Sequence, residues 1–205
     1  MGNYLFRLLF SRKLEVVIVG LGNCGKTTLL HVLSDGVPVQ TVPTVGLNVR
    51  MIKKGGVQMK CWDLAGGEQY RSEWGRFTKG CDVIIFVVDA NAIHLLPDAK
   101  MELHRLLEDK ELAKTAVLVV ANKIDLEPHA SEPLLIRGSD IYGHMLLITP
   151  SLTHFSFSSL TSTELNLDYI VDNPWMIIPC SALKTINVEE IIQWLIKEAD
   201  KPSKR

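Results

Sequence analysis

The chain has 205 residues, 22 Lys+Arg against 23 Asp+Glu for a formal net charge of −1, and 47% hydrophobic residues. This length gives room for one domain with a full core, or one domain plus appendages. The balanced charge supplies no global attraction to nucleic acid, and the apolar content excludes a disordered chain. The longest apolar run, Val83-Ile84-Ile85-Phe86-Val87-Val88, is far too short to span a bilayer and suits a buried parallel strand. Cys24, Cys61, Cys81 and Cys180 lie far apart with no CxxC pair. They read as small buried residues of a reducing compartment, the cytosol.

In chain order, residues 1–13 form an amphipathic segment in which Leu5, Phe6, Leu8, Leu9 and Phe10 flank Arg7. Arg7, Arg12 and Lys13 interrupt the apolar stretch, which argues against a cleavable signal peptide. Strand candidates follow at 14–20, 57–63, 83–89, 116–122 and 175–180, with helices near 26–34, 98–109 and 187–198. Strand–helix alternation of this kind predicts an α/β fold with a doubly wound, mostly parallel sheet and ligands at the carboxyl ends of the strands. Lys54-Gly55-Gly56 separates two β-rich runs and predicts a hairpin, which adds one antiparallel strand. The domain is expected to run over 14–200, with a Lys-rich tail at 201–205 that frays.

The first strand runs directly into Gly20-Leu21-Gly22-Asn23-Cys24-Gly25-Lys26-Thr27-Thr28, a complete GxxxxGK[ST] phosphate loop followed by a helix. Its glycines allow backbone N–H groups to turn inward, and the helix aims its positive end at the phosphates. Lys26 is expected to reach the β- and γ-phosphates, and the Thr27 hydroxyl to ligate Mg²⁺. A phosphate loop alone leaves kinases, ATPases and GTPases open. Asn122-Lys123-Ile124-Asp125 closes a strand, and the Asp125 carboxylate matches the N1–H and exocyclic amine of guanine, a donor pair that adenine lacks. Cys180-Ser181-Ala182-Leu183 follows the last strand, where a backbone N–H of Ser181 or Ala182 can meet the guanine O6. In Trp62-Asp63-Leu64-Ala65-Gly66-Gly67, Asp63 can hold the Mg²⁺ water shell and Gly66 can offer its N–H to the γ-phosphate. Thr44, in Pro43-Thr44-Val45-Gly46, can close over Mg²⁺ when a γ-phosphate is present. Taken singly, Asp63 also reads as a cap and Thr44 as a turn residue.

These segments, with Arg71…Trp74, Phe86-Val87-Val88-Asp89, Pro174-Trp175 and Gln193-Trp194-Leu195, together resemble an Arf or Arf-like small GTPase over about 14–128 and 164–198. The resemblance implies the small-GTPase fold and a monomeric GTP/GDP switch that recruits effectors at membranes. It also implies dependence on exchange and activating proteins, and a slow GTPase activity. Leu47, Trp62 and Phe77 are implied as an apolar effector-facing cluster, although the same residues also read as ordinary core. Gly2-Asn3 before an apolar helix is similar to Arf starts and implies N-myristoylation of Gly2. Phe6 departs from the usual acylation pattern. One acyl chain binds membranes only marginally, so the helix would supply the second anchor, or else pack against the domain. Cytoplasmic localisation with reversible membrane association follows.

Three features depart from the family pattern. The family reads Trp-Asp-X-Gly-Gly-Gln, and with no gap between Trp62 and Trp74 the glutamine position is Gly67. Loss of a water-orienting amide costs on the order of a hundredfold in hydrolysis. Weak intrinsic turnover is therefore expected, with Lys26 and Thr44 still in place. Glu68 or Gln69 could swing in, but neither occupies the family position. Gly22 stands where the family carries Asp or Asn. Finally, 129–163 is longer than the family's connection and nearly uncharged between Asp140 and Glu164. It reads as a docking element, an added hairpin or a poorly ordered splice product.

Overall fold

The computed structural model describes residues 12–131, 135 and 165–201. The expected N-terminal helix with Gly2, most of the 129–163 insert and nearly all of the tail lie outside the described residues.

Strand β1 (Arg12–Val19) leads through the glycine-rich loop into helix α1 (Lys26–Asp35). The hairpin forms as β2 (Leu47–Lys54) and β3 (Val57–Leu64), which pair antiparallel. Two short helices, α2 (Glu68–Arg71) and α3 (Trp74–Thr78), carry the chain to β4 (Val83–Asp89). Helix α4 (Leu96–Leu107), β5 (Ala116–Asn122), β6 (Trp175–Pro179) and α5 (Val188–Glu198) complete the order. The six strands form one sheet, β2-β3-β1-β4-β5-β6, parallel throughout except for the β2–β3 pair. The doubly wound α/β fold with one antiparallel strand is the one the sequence predicts.

Two differences have local causes. Helix α4 begins at Leu96, earlier than its apolar spacing suggests, because Pro97 in the first turn needs no helical N–H partner and has its φ already fixed. Helices α2 and α3, of 4 and 5 residues, are too short to display a helical period in sequence.

Successive strand residues point to opposite faces and feed two cores. On one face, Val16 and Ile18 of β1, Ile85 and Val87 of β4 and Leu118 and Val120 of β5 meet Leu29, Leu30 and Leu33 of α1 and Ile191 and Leu195 of α5. On the other, Val17, Val19, Ile84, Phe86, Val117 and Val119 meet Trp74, Leu96 and Leu103. Trp74 stands edge-on to Phe86 at 6.4 Å between ring centroids, and its indole N–H donates to the Ala65 carbonyl at 3.0 Å. That bond fixes the chain just before Gly66. Asn173 is buried and donates to the Leu112 and Thr115 carbonyls at 2.6 and 2.9 Å, which pins the chain entering β6. All four cysteines are buried and in no disulfide, and among the described residues no helix is long and apolar enough to cross a membrane.

Candidate functional site

The carboxyl ends of β1, β3, β5 and β6 open onto one cleft of about 870 Å³. It gathers most of the residues that the sequence singles out. Gly22, Asn23, Gly25, Lys26, Thr27 and Thr28 form its floor, Thr44 and the Gly66-Gly67 pair one wall, and Asn122, Lys123, Asp125 and Ala182 the other. Gly20, Leu21 and Cys24 do not line the cleft. Leu21 and Cys24 are buried, and the Gly20 and Leu21 carbonyls accept from Lys26 beneath the loop. Ser181 is also buried, its backbone bridged to Ile186 and its hydroxyl accepting from the Lys184 N–H at 3.0 Å.

Gly25 caps α1 in the left-handed conformation (φ 94°) and supplies no side-chain acceptor. The first-turn N–H groups of α1 therefore remain available to an anion. Glycine is required here, because a Cβ would lie 2.3 Å from the Asn122 side-chain nitrogen. The Lys26 ammonium donates to the Gly20 and Leu21 carbonyls at 2.9 and 2.6 Å. Gly66 packs directly on this pair, and a Cβ there would come within 2.4 Å of both Gly20 O and Lys26 Nζ. Burial pushes the neighbouring Cys24 thiol above its usual range, with Lys26 opposing in part, so the thiol stays protonated.

Three side-chain oxygens converge where the cleft floor meets its wall. The Thr27 hydroxyl donates to Asp63 Oδ2 at 2.8 Å and lies 2.7 Å from the Thr44 hydroxyl. Asp63 is fully buried, and among the described residues its Oδ1 has no hydrogen-bond partner. Burial raises the carboxyl above its usual range, while the Thr27 hydroxyl and the charges of Lys26 and His31 pull it down. An orphaned carboxylate oxygen beside two hydroxyls is a hard-oxygen set that suits Mg²⁺, an ion that keeps waters and shares ligands with phosphate. Thr27 and Thr44 would hold it directly and Asp63 through water. The ion would supply charge neutralisation at the phosphates.

The opposite wall is organised by contacts that motif reading misses. Asn122 is buried and donates to the Cys24 carbonyl at 2.8 Å, while its Oδ1 accepts from the Ala182 N–H at 2.9 Å. One side chain thus ties the phosphate loop to the segment after β6. Lys123 is held by Asp89 of β4 at 2.6 Å. Burial pushes the Cys180 thiol up to about 12, with the charge of Asp125 adding to it. Arg71 donates to the Gly66 carbonyl at 3.3 Å and pairs with Glu102 of α4 at 3.2 Å, an anchor whose α4 half carries no sequence signal.

Backbone conformation does not demand glycine at the two departures. A Cβ at Gly22 would meet only the Gly66 backbone, at 3.8 Å, while Gly67 has ordinary extended backbone (φ −63°, ψ 147°) but a Cβ there would meet the Gln69 side chain at 3.0 Å. Of the cluster implied by resemblance, Leu47 is exposed, and Trp62 and Phe77 are half-buried with ring centroids 6.1 Å apart. Leu47, Val49 and Met51 alternate along edge strand β2, all exposed, on the face they share with Trp62 through the Val49–Trp62 pairing. The Trp62 indole N–H donates to Glu15 at 3.2 Å.

Replacing Asn122 with Ala would strand the Cys24 carbonyl and the Ala182 N–H without partners. A loss of about 2–4 kcal/mol in unfolding free energy is expected in urea, together with weakened nucleotide affinity. Unchanged stability and affinity would refute the bridging role.

A sequence profile of the ADP-ribosylation factor family matches residues 3–140. ADP-ribosylation factor-like protein 8b of Arabidopsis thaliana is 36% identical over 85% of this chain and 92% of its own length. ADP-ribosylation factor-like protein 3 of Caenorhabditis elegans is 31% identical over 95% of this chain and 92% of its own length. Among solved structures, the Arl6 BBS3 small GTPase of Trypanosoma brucei, with a bound nucleotide analogue GppNp, superposes with a TM-score of 0.68. It is 26% identical, over 91% of this chain and 97% of the other. A phosphate-loop motif on a mostly parallel sheet, an Asn-Lys-Ile-Asp loop after β5 and a family match over most of the length agree: the chain belongs to the ADP-ribosylation factor family, as an Arf-like small GTPase.

Proposed function

We propose that this protein is a GTP/GDP switch with weak intrinsic hydrolysis, which recruits effectors at membranes in intracellular traffic. The observation that carries the reading is the convergence in one cleft of an uncapped helix start, the Thr27–Asp63–Thr44 oxygen cluster and the Asp125 loop. The first suits phosphates, the second Mg²⁺ and the third guanine. A switch also needs elements that respond to the γ-phosphate. Thr44 precedes β2, Gly66 follows β3, and the Ala65 N–H donates to the Gly46 carbonyl at 2.9 Å. A pull on either segment is therefore passed to the other through the hairpin. The exposed Leu47, Val49 and Met51 face, with Trp62 and Phe77 beside it, fits an effector surface that moves with the hairpin.

Gly67 favours a second reading, a GTP-loaded binding module with no useful hydrolysis and control by exchange or abundance. The two readings separate in one experiment. GTP is expected to bind far more tightly than ATP in both. In single-turnover assays the switch loses GTP slowly, roughly tenfold to a hundredfold below a relative that carries glutamine at the Gly67 position, and accelerates with an activating protein. A rate equal to that of such a relative would refute impaired hydrolysis, and equal ATP affinity would refute the guanine assignment.

Membrane association rests on the family resemblance and on residues 1–11, with myristate on Gly2 and Leu5, Phe6, Leu8, Leu9 and Phe10 as the second anchor. Gly2→Ala is expected to leave GTP affinity intact while membrane recovery in fractionation falls severalfold. Recovery equal to that of the unaltered protein would remove the acyl anchor from the account.

A further inference from the structure

Gly67 lacks the amide that its family position supplies, yet an amide stands beside it. A Cβ built on Gly67 would meet the Gln69 side chain at 3.0 Å from Oε1, 3.3 Å from Cδ and 3.3 Å from Nε2. Those are the three atoms of a carboxamide head, all nearer than ordinary van der Waals contact. The Gln69 amide thus lies against the position from which a side chain at 67 would start. Gln69 lines the same cleft as Gly66, Lys26 and Thr44.

The local fold produces this arrangement. Gly67 is the N-cap of α2 in extended conformation, and Gln69 lies in the first turn of that helix. The Tyr70 N–H donates to the Gly67 carbonyl at 2.9 Å, which closes the turn. Helical side chains lean toward the N-terminus, so a residue two positions on can lay its head back over the cap. With no Cβ at 67, nothing blocks it. The turn itself is anchored on both sides, by Trp74 on the Ala65 carbonyl and by Arg71 on the Gly66 carbonyl.

We infer that Gln69 is the water-positioning residue of this protein, and that glycine at 67 is what admits its amide to the γ-phosphate side of the cleft. The inference rests on the GTP-hydrolysing reading above and names the residue that carries what hydrolysis there is. In the step concerned, the water oxygen forms a bond to the γ-phosphorus as the bond to the β–γ bridging oxygen breaks. That oxygen leaves with its electron pair on GDP, and the water protons leave on inorganic phosphate and to solvent. Gln69 Oε1 accepts a hydrogen bond from the attacking water, and Nε2 donates to the oxygen on which charge develops. This amide reaches the cleft from a backbone position two residues further along the turn than 67, so it is less directly aimed than one borne at 67 itself, which accounts for slow rather than absent turnover.

The test is a double-mutant cycle on the full chain, with Gln69→Ala, Gly67→Ala and the two together. Each is checked for folding by circular dichroism and for GTP affinity by fluorescent-nucleotide titration, then followed with γ-labelled GTP through a single turnover. Gln69→Ala is expected to slow hydrolysis by roughly tenfold with affinity unchanged. Gly67→Ala, whose methyl group displaces the amide, is expected to slow it severalfold, with no further loss in the double variant. Gly67→Gln placed in the Gln69→Ala background is expected to bring the rate back to or above that of the unaltered protein, and no recovery would mean that Gln69→Ala damaged the site rather than removed its amide, which would overturn the inference. Hydrolysis by Gln69→Ala at the unaltered rate, a loss of GTP affinity in that variant, additive single effects, or no measurable hydrolysis by the unaltered protein would each overturn the inference. Failure of the unaltered protein to bind GTP would instead remove the reading beneath it.

Discussion

One side chain holds the cleft together. Asn122, at the last position of β5, donates to the Cys24 carbonyl of the phosphate loop and accepts from the Ala182 N–H after β6. Its own carbonyl accepts from the Ala90 N–H beyond β4. Three loops that arise from different strands are thus fixed by one residue, two through the ends of its buried side-chain amide and the third through its backbone carbonyl. Satisfied networks of this kind specify a single arrangement, because any partial version leaves a buried polar group without a partner. The same amide explains why Gly25 has no Cβ: the nitrogen of Asn122 occupies that space.

Around this fixed point the two working walls differ in kind. The wall of Asn122, Lys123 and Ala182 is fixed, with Lys123 clamped by Asp89 and the chain into β6 pinned by Asn173. The wall of Thr44 and Gly66 is assembled from separate segments held by single contacts, Thr44 to Thr27, Gly66 against Lys26 and Arg71 across to Glu102. Few backbone bonds fix the chain over 37–46, where Val37, Val42 and Val45 are exposed. Elements of low local stability are the ones available to respond to a ligand. On the proposed reading, holding a nucleotide and sensing its third phosphate fall to different parts of one cleft.

Much of this was legible in the residues themselves. The parallel strands are short apolar runs, and the phosphate loop sits between a strand and a helix, so both fold and loop follow from pattern. Lys54-Gly55-Gly56 announces the hairpin in the same way. What pattern does not carry is register and long-range pairing. Asn122 reads as one letter of a guanine motif, and its bond to Cys24, 98 positions away, appears only once β1 and β5 share a sheet with β4 between them. Glu102 reads as a polar helix residue until α4 brings it to Arg71. Gly67 and Gln69 were both visible, but their relation depends on a four-residue helix with no period to detect. Residues 1–11 and most of the insert lie outside the described structure and keep only their sequence reading.

On the proposed reading, the cleft couples the third phosphate to the hairpin between Thr44 and Gly66. Amide hydrogen exchange on the protein loaded with GDP, and then with a non-hydrolysable GTP analogue, tests it most directly. The account predicts that segments 38–49 and 64–72 gain protection together in the triphosphate state, while β4, β5 and the segment at 180–183 stay the same. Identical protection of both segments in the two states would contradict it.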